Sequence, residues 1–580
     1  MAADNLLQEF PPVSTQAWEE AIRKDLKGAD YAKKLIWQTE DGFAAKPYYR
    51  AEDIVGLEYL DAAPGKFPYV RSDRATGDWR IREEIDAVDP AKANHAARSA
   101  AAAGAEEIAF LNADIKFASD LAILLVNLQD VPVHFEDANE SLIRLLIARQ
   151  TKSLVSTGFD PLKNLDFAAE VVATAPSTLV PFTIHGDKFE ESGATSVQEV
   201  GFTLAAGIDF LAEVQSRKLD VNRAAASIKF SFAIGSSYFF QIAKLRAFRL
   251  LWARAFESFG GTCERARARI HARTSRWNET IYDPHVNILR GTTEAMSAAL
   301  GGADSISVAP FDECYKAPDE ASRRLARNTQ ILIKQEALLS RVADPGGGSY
   351  YVEVLTDFIA REGWKTMQGI EAAGGYQKAQ TEGQIAIILE QSLAAREKAV
   401  SFRRRIFTGT NQHANLSEKA LDRIDASRLP GPHRGPQVYE QLRLRTERHV
   451  VRTGETPRVL LAEVGDVKMA SARSNFAANF FACAGFEVVT KRFGNAYEIA
   501  ATEGDLIVLC SSDPEYPALA AELLAKLKAL GRKAAVVIAG NPDSAEQLKA
   551  DGIADFVHVR SNPIEVLTKW QQLLGIAVTE

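Results

Sequence analysis

Cysteine is scarce in this 580-residue chain: Cys263, Cys314, Cys483 and Cys510 lie far apart and form no C-x-x-C pair. That speaks against a disulfide framework or a cysteine zinc site and for reduced thiols. The nine histidines show no H-x-x-x-H or other metal-ligand spacing, so no metal site is expected. No apolar run approaches the roughly 20 residues needed to cross a bilayer. The opening Met-Ala-Ala-Asp-Asn-Leu-Leu-Gln-Glu-Phe lacks both the basic flank of a signal peptide and the arginines of a transit peptide. A cytoplasmic location is expected. There is no basic excess either. A net charge of −8 and a pI near 5.8 argue against a general binder of nucleic acid or anionic membrane, since phosphate binding needs a basic face.

What is present is an ordinary globular composition, 46% hydrophobic and 25% charged, in a chain too long for a single core. Its first 65 or so residues do not read as a self-sufficient domain. Ser14 or Thr15 is placed to cap a helix through Trp18, Ile22 and Leu26, with Gly28 ending it. Tyr31 to Trp37, then Tyr48 and Tyr49, crowd aromatics into a segment too short to bury them alone. Two readings stay open: the arm packs on its own chain, or it wraps a partner subunit.

From Trp79 to about Asp312 strands alternate with helices. The expected strands are Trp79–Ile85, Glu107–Leu111, Val131–Phe135, Val180–Ile184, Ser227–Ile234, Arg269–Thr274 and Ser305–Pro310, with a further one near Ala168–Ala173. Such alternation implies a parallel sheet, and about eight units in this length favour a (β/α)8 TIM barrel over a doubly wound sheet. Helices Asp319–Leu339, Phe358–Ala373 and Thr381–Phe402 are expected next. The low-periodicity stretch Asn411 to Pro457, centred on Leu429-Pro-Gly-Pro-His-Arg-Gly-Pro436, reads as an inter-domain linker. Strand signals then recur at Val459–Val464, Phe486–Thr490, Leu506–Cys510, Ala534–Ala539 and Phe556–Val559, a pattern that suggests a flavodoxin-like domain.

Several stretches bear on chemistry. Asp344-Pro-Gly-Gly-Gly-Ser349 is the most glycine-dense loop, but it follows a helix rather than a strand and reads as a structural turn. Arg403-Arg-Arg405 and the spaced Arg265, Arg267 and Arg269 are either solvated faces or contacts for a nucleotide's phosphates. His185 stands just past a barrel strand, where catalytic groups are placed in such folds, although a hydrogen-bonded structural role is commoner for a lone histidine. The strand-to-helix turn after Val464, containing Asp466, Lys468 and Ser471, sits where ligands usually bind in an open α/β sheet.

Phe67-Pro-Tyr-Val-Arg71, Ala243-Lys-Leu-Arg-Ala-Phe-Arg-Leu-Leu-Trp252, Thr293-Glu-Ala-Met296 with Leu300-Gly-Gly302, Ala326-Arg-Asn-Thr-Gln330 and Asp344-Pro-Gly-Gly-Gly-Ser-Tyr-Tyr-Val-Glu353 together resemble the methylmalonyl-CoA mutase family over nearly the whole chain. The resemblance implies an acyl-CoA-threading barrel, a cobalamin held between two domains, and radical interconversion of methylmalonyl-CoA and succinyl-CoA by adenosylcobalamin. Catalytic members carry Asp-x-His-x-x-Gly after the first strand of the cobalamin domain, the histidine ligating cobalt. Here those positions read Asp466, Lys468 and Ser471. An ammonium binds a metal only after losing its proton, at a cost of roughly 4–5 kcal/mol at pH 7. The family's serine-rich cofactor loop reads Cys510-Ser-Ser-Asp-Pro514 and its glycine pair Ala539-Gly540. In the barrel, Lys188 of His185-Gly-Asp-Lys188 holds the place of the catalytic histidine, and Tyr-Arg-Gly-x-Pro-Trp is shortened to Thr76-Gly-Asp-Trp79.

The resemblance is thus to the small, non-catalytic subunit of a heterodimeric mutase. It implies an N-terminal arm over residues 1–65 that packs on the partner, a TIM barrel over 66–410, a linker over 411–457 and a flavodoxin-like domain with a degenerate motif over 458–580. No catalytic, cobalamin-binding or metal residues are expected on this chain. Adenosylcobalamin and the acyl-CoA substrate belong to a homologous catalytic large subunit. Two alternatives stand beside this reading: a self-sufficient mutase with altered lower ligation and Lys188 as electrophile, and an accessory module that loads or protects a mutase.

Overall fold

Along each central strand apolar side chains alternate with polar ones, and that period of two sets the architecture. The computed structural model describes residues 12–149, 151–425, 427 and 433–577. Parallel strands β1 (Arg80–Asp86), β2 (Glu107–Leu111), β3 (Val133–Phe135), β4 (Val155–Thr157), β5 (in two pieces, Leu179–Val180 and Phe182–His185), β6 (Ile228–Ile234), β7 (Ile270–Thr274) and β8 (Ser305–Ser307) are paired in sequence order. Ser305 of β8 pairs with Arg80 of β1, which closes the ring. Pro181 divides β5 because it has no N–H to give the ladder. The residues before it pair with β4 and those after it with β6. The Thr157 hydroxyl donates to the Pro181 carbonyl, and the Thr183 hydroxyl donates to the Thr157 carbonyl at 2.6 Å, so side chains bridge the gap. The result is the expected eight-stave barrel.

One stave was misplaced by the sequence reading. Ala168–Ala173 lies in the helix Leu165–Thr174, where Phe167, Ala168, Val171 and Val172 form one buried face and Asn164 caps the start. The strand is Val155–Thr157, too short and too polar to signal itself. The helix Tyr350–Ala372 begins well before Phe358, because packing overrides the low helix propensity of its aromatic and β-branched first turns. It crosses the helix Ser196–Ser216 so closely that a Cβ on Gly201 would meet Thr366 at 2.6 Å, and one on Gly363 would meet Val200 at 2.8 Å.

Ser14 caps the helix Thr15–Asp25 as expected, but no residue of that helix is buried. Beyond it the arm lies on its own barrel. Phe43 packs on Phe240 and Phe358, Tyr49 on Tyr351, and the Tyr59 hydroxyl donates to the Glu353 carbonyl at 2.9 Å. Residues 1–11 of the expected arm lie outside the described residues.

Asp344-Pro-Gly-Gly-Gly-Ser349 is a turn, pinned by charge. Arg71 and Arg246 each contact both Asp344 and Glu353 at 2.8–3.3 Å, and Gly348 N–H donates to Glu353 at 2.8 Å. Three of the motifs quoted above therefore meet in one buried ion cluster.

The expected linker is largely structured. Pro436 starts a helix, Gln437–Thr453, rather than breaking one, and Tyr439, Leu442 and Thr446 on it are buried. Ahead of it Arg434 forms a buried ion pair with Glu440 at 2.7 Å. The turn residues Leu429 to Pro432 lie outside the described residues. The second sheet contains β9 (Arg458–Glu463), β10 (Glu487–Arg492), β11 (Leu506–Cys510), β12 (Ala535–Ala539) and β13 (Asp555–Val557), all parallel, in the flavodoxin-like order β10-β9-β11-β12-β13. Among the described residues no helix is long and apolar enough to cross a membrane.

Arg246→Met is expected to lower the denaturant midpoint of the full chain sharply, by a cost of about 3–5 kcal/mol, because it leaves Glu353 and Asp344 buried beside too little positive charge. A loss within about 0.5 kcal/mol, the usual surface value, would show that the cluster does not hold the turn.

Candidate functional site

In a sheet of this order the ligand crevice lies between the loops that follow β9 and β11, where the chain's direction of travel reverses. Here the chain's own side chains occupy it. Asp466 caps the helix Val467–Ala482 by accepting from Met469 N–H at 2.7 Å, so its carboxylate is used locally. Lys468 is exposed and Ser471 half-buried on the same helix. Across the crevice the Glu515 carboxylate accepts from the Ser511 and Ser512 hydroxyls, each at 2.6 Å, and from the N–H groups of Ser512 at 3.1 Å and Asp466 at 3.4 Å. Those hydroxyl bonds lead the effects that hold its carboxyl down at about 2. Gly465, at φ +73°, is needed here: a Cβ would stand 2.2 Å from Glu515. On the far side Arg473 donates to the Ala539 carbonyl at 3.0 Å and pairs with Asp513 at 2.8 Å. A Cβ on Gly540 would meet that guanidinium at 2.3 Å.

The barrel lumen is filled with charge. Phe230 and Phe232 of β6 face outward onto Phe248, while Lys229 between β6 neighbours points inward. Its Nζ donates to His134 Nδ1 of β3 at 2.9 Å and to Ser156 Oγ of β4 at 3.2 Å. Strands β3 and β6 are three places apart around an eight-stave ring, so this contact crosses the lumen. His134 Nε2 donates in turn to Glu136 at 2.9 Å. Arg82 of β1 pairs with Glu107 of β2, and His271 of β7 bonds Ser305 of β8 at 2.9 Å. Nearer the carboxyl ends Arg273 of β7 reaches Glu84 of β1 at 3.0 Å and Glu313 at 2.7 Å.

These groups have shifted ionisation for identifiable reasons. Burial, followed by the like charge of Lys229 and Arg82, pushes the His134 imidazolium down to about 3. Burial, then Arg82, pushes Lys229 well down. For Glu107 burial acts upward, but Arg82 and Arg80 reverse it and hold the carboxyl well below its usual range.

At the carboxyl-terminal rim His185 Nε2 donates to the Gly158 carbonyl at 2.8 Å and Nδ1 faces Asp187 at 3.4 Å. Burial lowers this imidazolium, but Asp187 and Glu136 outweigh it, so His185 titrates above its ordinary range. Lys188, on the short helix Gly186–Glu191, is exposed and borders, together with His185, a cavity lined by Lys163, Leu389 and Glu390. In the shortened Thr76-Gly-Asp-Trp79 loop a Cβ on Gly77 would stand 2.3 Å from the Val342 carbonyl. Trp79 is buried, its Nε1 donating to Gln330 at 3.3 Å.

The two arginine runs are not brought together. Arg269 donates to the Ala226 carbonyl at 2.5 Å and Arg267 lies over the Tyr69 ring, both ahead of β7 and so at the amino-terminal end of the barrel. Arg405 works at the other end. It clasps both oxygens of Glu40 at 2.7 and 2.9 Å and lies 3.4 Å from Ser236 and 3.5 Å from Asn278. Sequence reasoning missed the lumen residues, although the signal was there: Ile228-Lys-Phe-Ser-Phe-Ala-Ile and Ile270-His-Ala-Arg alternate apolar and polar residues in strands that parallel topology buries on both faces.

Residues 159–453 match the family described as methylmalonyl-CoA mutase. The chain is similar to the methylmalonyl-CoA mutase small subunit of Porphyromonas gingivalis, with 37% identity over 99% of both chains. It is 32% identical to the small subunit of Streptomyces virginiae, over 99% of this chain and 98% of that protein. It is also 30% identical to the methylmalonyl-CoA mutase of Escherichia coli, over 75% of this chain and 69% of that one.

The lumen makes a pH-dependent prediction. His134 is held neutral in the fold, at about 3, against 6.5 for a free imidazole. As pH falls through that interval the unfolded chain takes up a proton that the folded chain refuses, so stability is lost on acidification by about 1.4 kcal/mol per pH unit. Between pH 6.5 and about 4, His134→Gln is expected to lose denaturant midpoint less steeply than the parent chain. Equal slopes would mean that His134 is not kept neutral.

Proposed function

This chain belongs to the methylmalonyl-CoA mutase family, and we propose that it is the non-catalytic small subunit of an adenosylcobalamin-dependent mutase interconverting methylmalonyl-CoA and succinyl-CoA. Its partner is a homologous large subunit that holds the cofactor, binds the acyl-CoA and performs the isomerisation, and the two form a heterodimer. The observation that carries this reading is the Lys229–His134 contact across the barrel. A pantetheine-like chain threaded along the axis has to displace it and leave the buried Lys229 amine and His134 imidazole without their hydrogen-bond partners, which is unfavourable.

The second sheet supports the same reading. Its crevice residues do not fit a cobalt-ligating loop: Lys468 offers an exposed ammonium in place of an imidazole, Asp466 is engaged as a helix cap, and Glu515 and Arg473 fill the space between the loops. No chemical step is assigned to cobalamin on this chain. The self-sufficient alternative asks Lys188 to polarise a thioester, but its side chain lines a cavity outside the lumen. The helix Thr15–Asp25, which buries none of its residues, supports an arm over residues 1–65 whose leading helix lies on the partner while its later part packs on the barrel. The barrel over 66–410, the connecting segment 411–457 and the flavodoxin-like unit over 458–580 then act as scaffold.

Purifying this chain alone and with a homologous chain that has an intact Asp-x-His-x-x-Gly tests the proposal. One cobalamin per heterodimer and activity only in the complex are expected; isomerase activity or tight cobalamin binding by the lone chain would overturn it. Lys468→His alone is expected to leave the lone chain without cobalamin, because Glu515 and Arg473 still fill the crevice. A cobalamin absorbance spectrum that survives gel filtration of that variant would show that the ligand position alone was at fault.

A further inference from the structure

A cavity of about 500 Å³ opens on the outer side of β5, between that strand and the helices Ser196–Ser216, Tyr376–Thr381 and Gln384–Ser401. Its floor is apolar and firmly held. Ile184, Ala206 and Leu389 on it are 3%, 2% and 9% exposed. Phe189 stands edge-on to Phe202, with ring centroids 5.5 Å apart, and to Tyr376, at 6.1 Å. The wall at Tyr376 is fastened down, because Gln377 Nε2 donates to the Leu162 carbonyl at 3.0 Å and its N–H donates to Asp209 at 2.9 Å. The cavity is therefore formed in advance, and its volume is in the range of small-molecule sites.

The charges around it are equal in number and unjoined. Asp160, Glu390, Lys163, Lys188 and His185 line it. His185 is already matched, by Asp187 at 3.4 Å and Glu136 at 3.9 Å. The other four, two carboxylates and two ammoniums, form no ion pair among the described residues. A ligand with a net charge gains from one sign what it loses against the other, whereas a dipolar ligand satisfies both. One acid and one base are held side by side. Asp160 caps the tight turn Pro161–Lys163, and Lys163 N–H donates back to the Asp160 carbonyl at 3.2 Å. A turn closed in this way keeps the two Cα atoms within about 7 Å. Asp160 Oδ1 accepts from Leu162 N–H at 2.9 Å, which leaves Oδ2 for a ligand. Burial, and then the negative charge of Asp160, raises the Tyr376 hydroxyl, so this carboxylate stands towards the cavity wall that Tyr376 forms.

We propose that this lateral cavity binds a free α-amino acid with an apolar side chain, its ammonium on Asp160, its carboxylate on Lys163 and its side chain over Ile184, Phe189 and Leu389. The zwitterionic head spans the acid and the base of one turn, and the apolar floor takes the rest of the molecule. All three parts of the ligand are needed. The site involves neither cobalamin nor acyl-CoA, so its failure leaves the subunit reading untouched.

Calorimetric titration of the full-length chain with L-norleucine tests this, with hexanoate lacking the ammonium, pentylamine lacking the carboxylate, and L-alanine lacking the long side chain as controls. Hexanoate and pentylamine are each expected to bind about tenfold more weakly than norleucine, the loss of one hydrogen bond to a charged group. From L-alanine through L-norvaline to L-norleucine affinity is expected to rise about fourfold per added methylene. Lys163→Gln, at an exposed position, is expected to abolish the preference for norleucine over pentylamine. Asp160→Asn keeps an oxygen for Leu162 N–H and hence the turn, and is expected to abolish the preference for norleucine over hexanoate. The proposal is overturned by the absence of saturable heat with norleucine, by hexanoate or pentylamine binding as tightly as norleucine, or by both variants keeping the parent chain's preferences.

Discussion

A parallel barrel that closes around buried charge must keep each ion matched, and most of this molecule's character follows from that requirement. Lys229, His134, Glu136, Arg82 and Glu107 form contacts from stave to stave and across the lumen. The Arg82–Glu107 ion pair and the hydrogen bonds of Lys229 with the neutral His134 are tolerable only because each partner is present, since an uncompensated buried charge or unpaired polar group is costly. An apolar core can give way locally to admit a guest. This one cannot without exposing or stranding an ion or a hydrogen-bonding group.

The same logic governs the motifs that carry the family resemblance. Arg71, Arg246, Asp344 and Glu353 come from three of them and meet in one cluster that fixes the glycine turn and the start of a long outer helix. Their work is architectural, which is how a chain keeps the family's framework while its barrel rim and its second crevice are rebuilt. In that crevice Glu515 and Arg473 satisfy donors and carbonyls that would otherwise face solvent or a ligand.

Much of this was legible in the sequence where the local signal and the tertiary context agree. The long runs Ser227–Ile234 and Arg269–Thr274 announced strands, and the strand-to-helix turn carrying Asp466, Lys468 and Ser471 stands where the sequence placed it. The failures came where they diverge. Val155–Thr157 is too brief to show a period, whereas Ala168–Ala173 is apolar enough to imitate a strand and helical by composition. Pro436 was read as part of an inter-domain linker, although a proline at a helix start removes an N–H that has no partner there anyway. Glu515 was not singled out, because its role depends on Gly465, some 50 residues earlier.

The clasp between Arg405 and Glu40 joins residues at opposite ends of the barrel's stretch of chain and also touches the rim at Ser236 and Asn278. Arg405 stands at the start of the path to the second sheet, and Glu40 ends the arm's approach to the barrel. The clasp thus fastens the arm, the barrel rim and the segment leading to the second sheet at one point, outside the lumen.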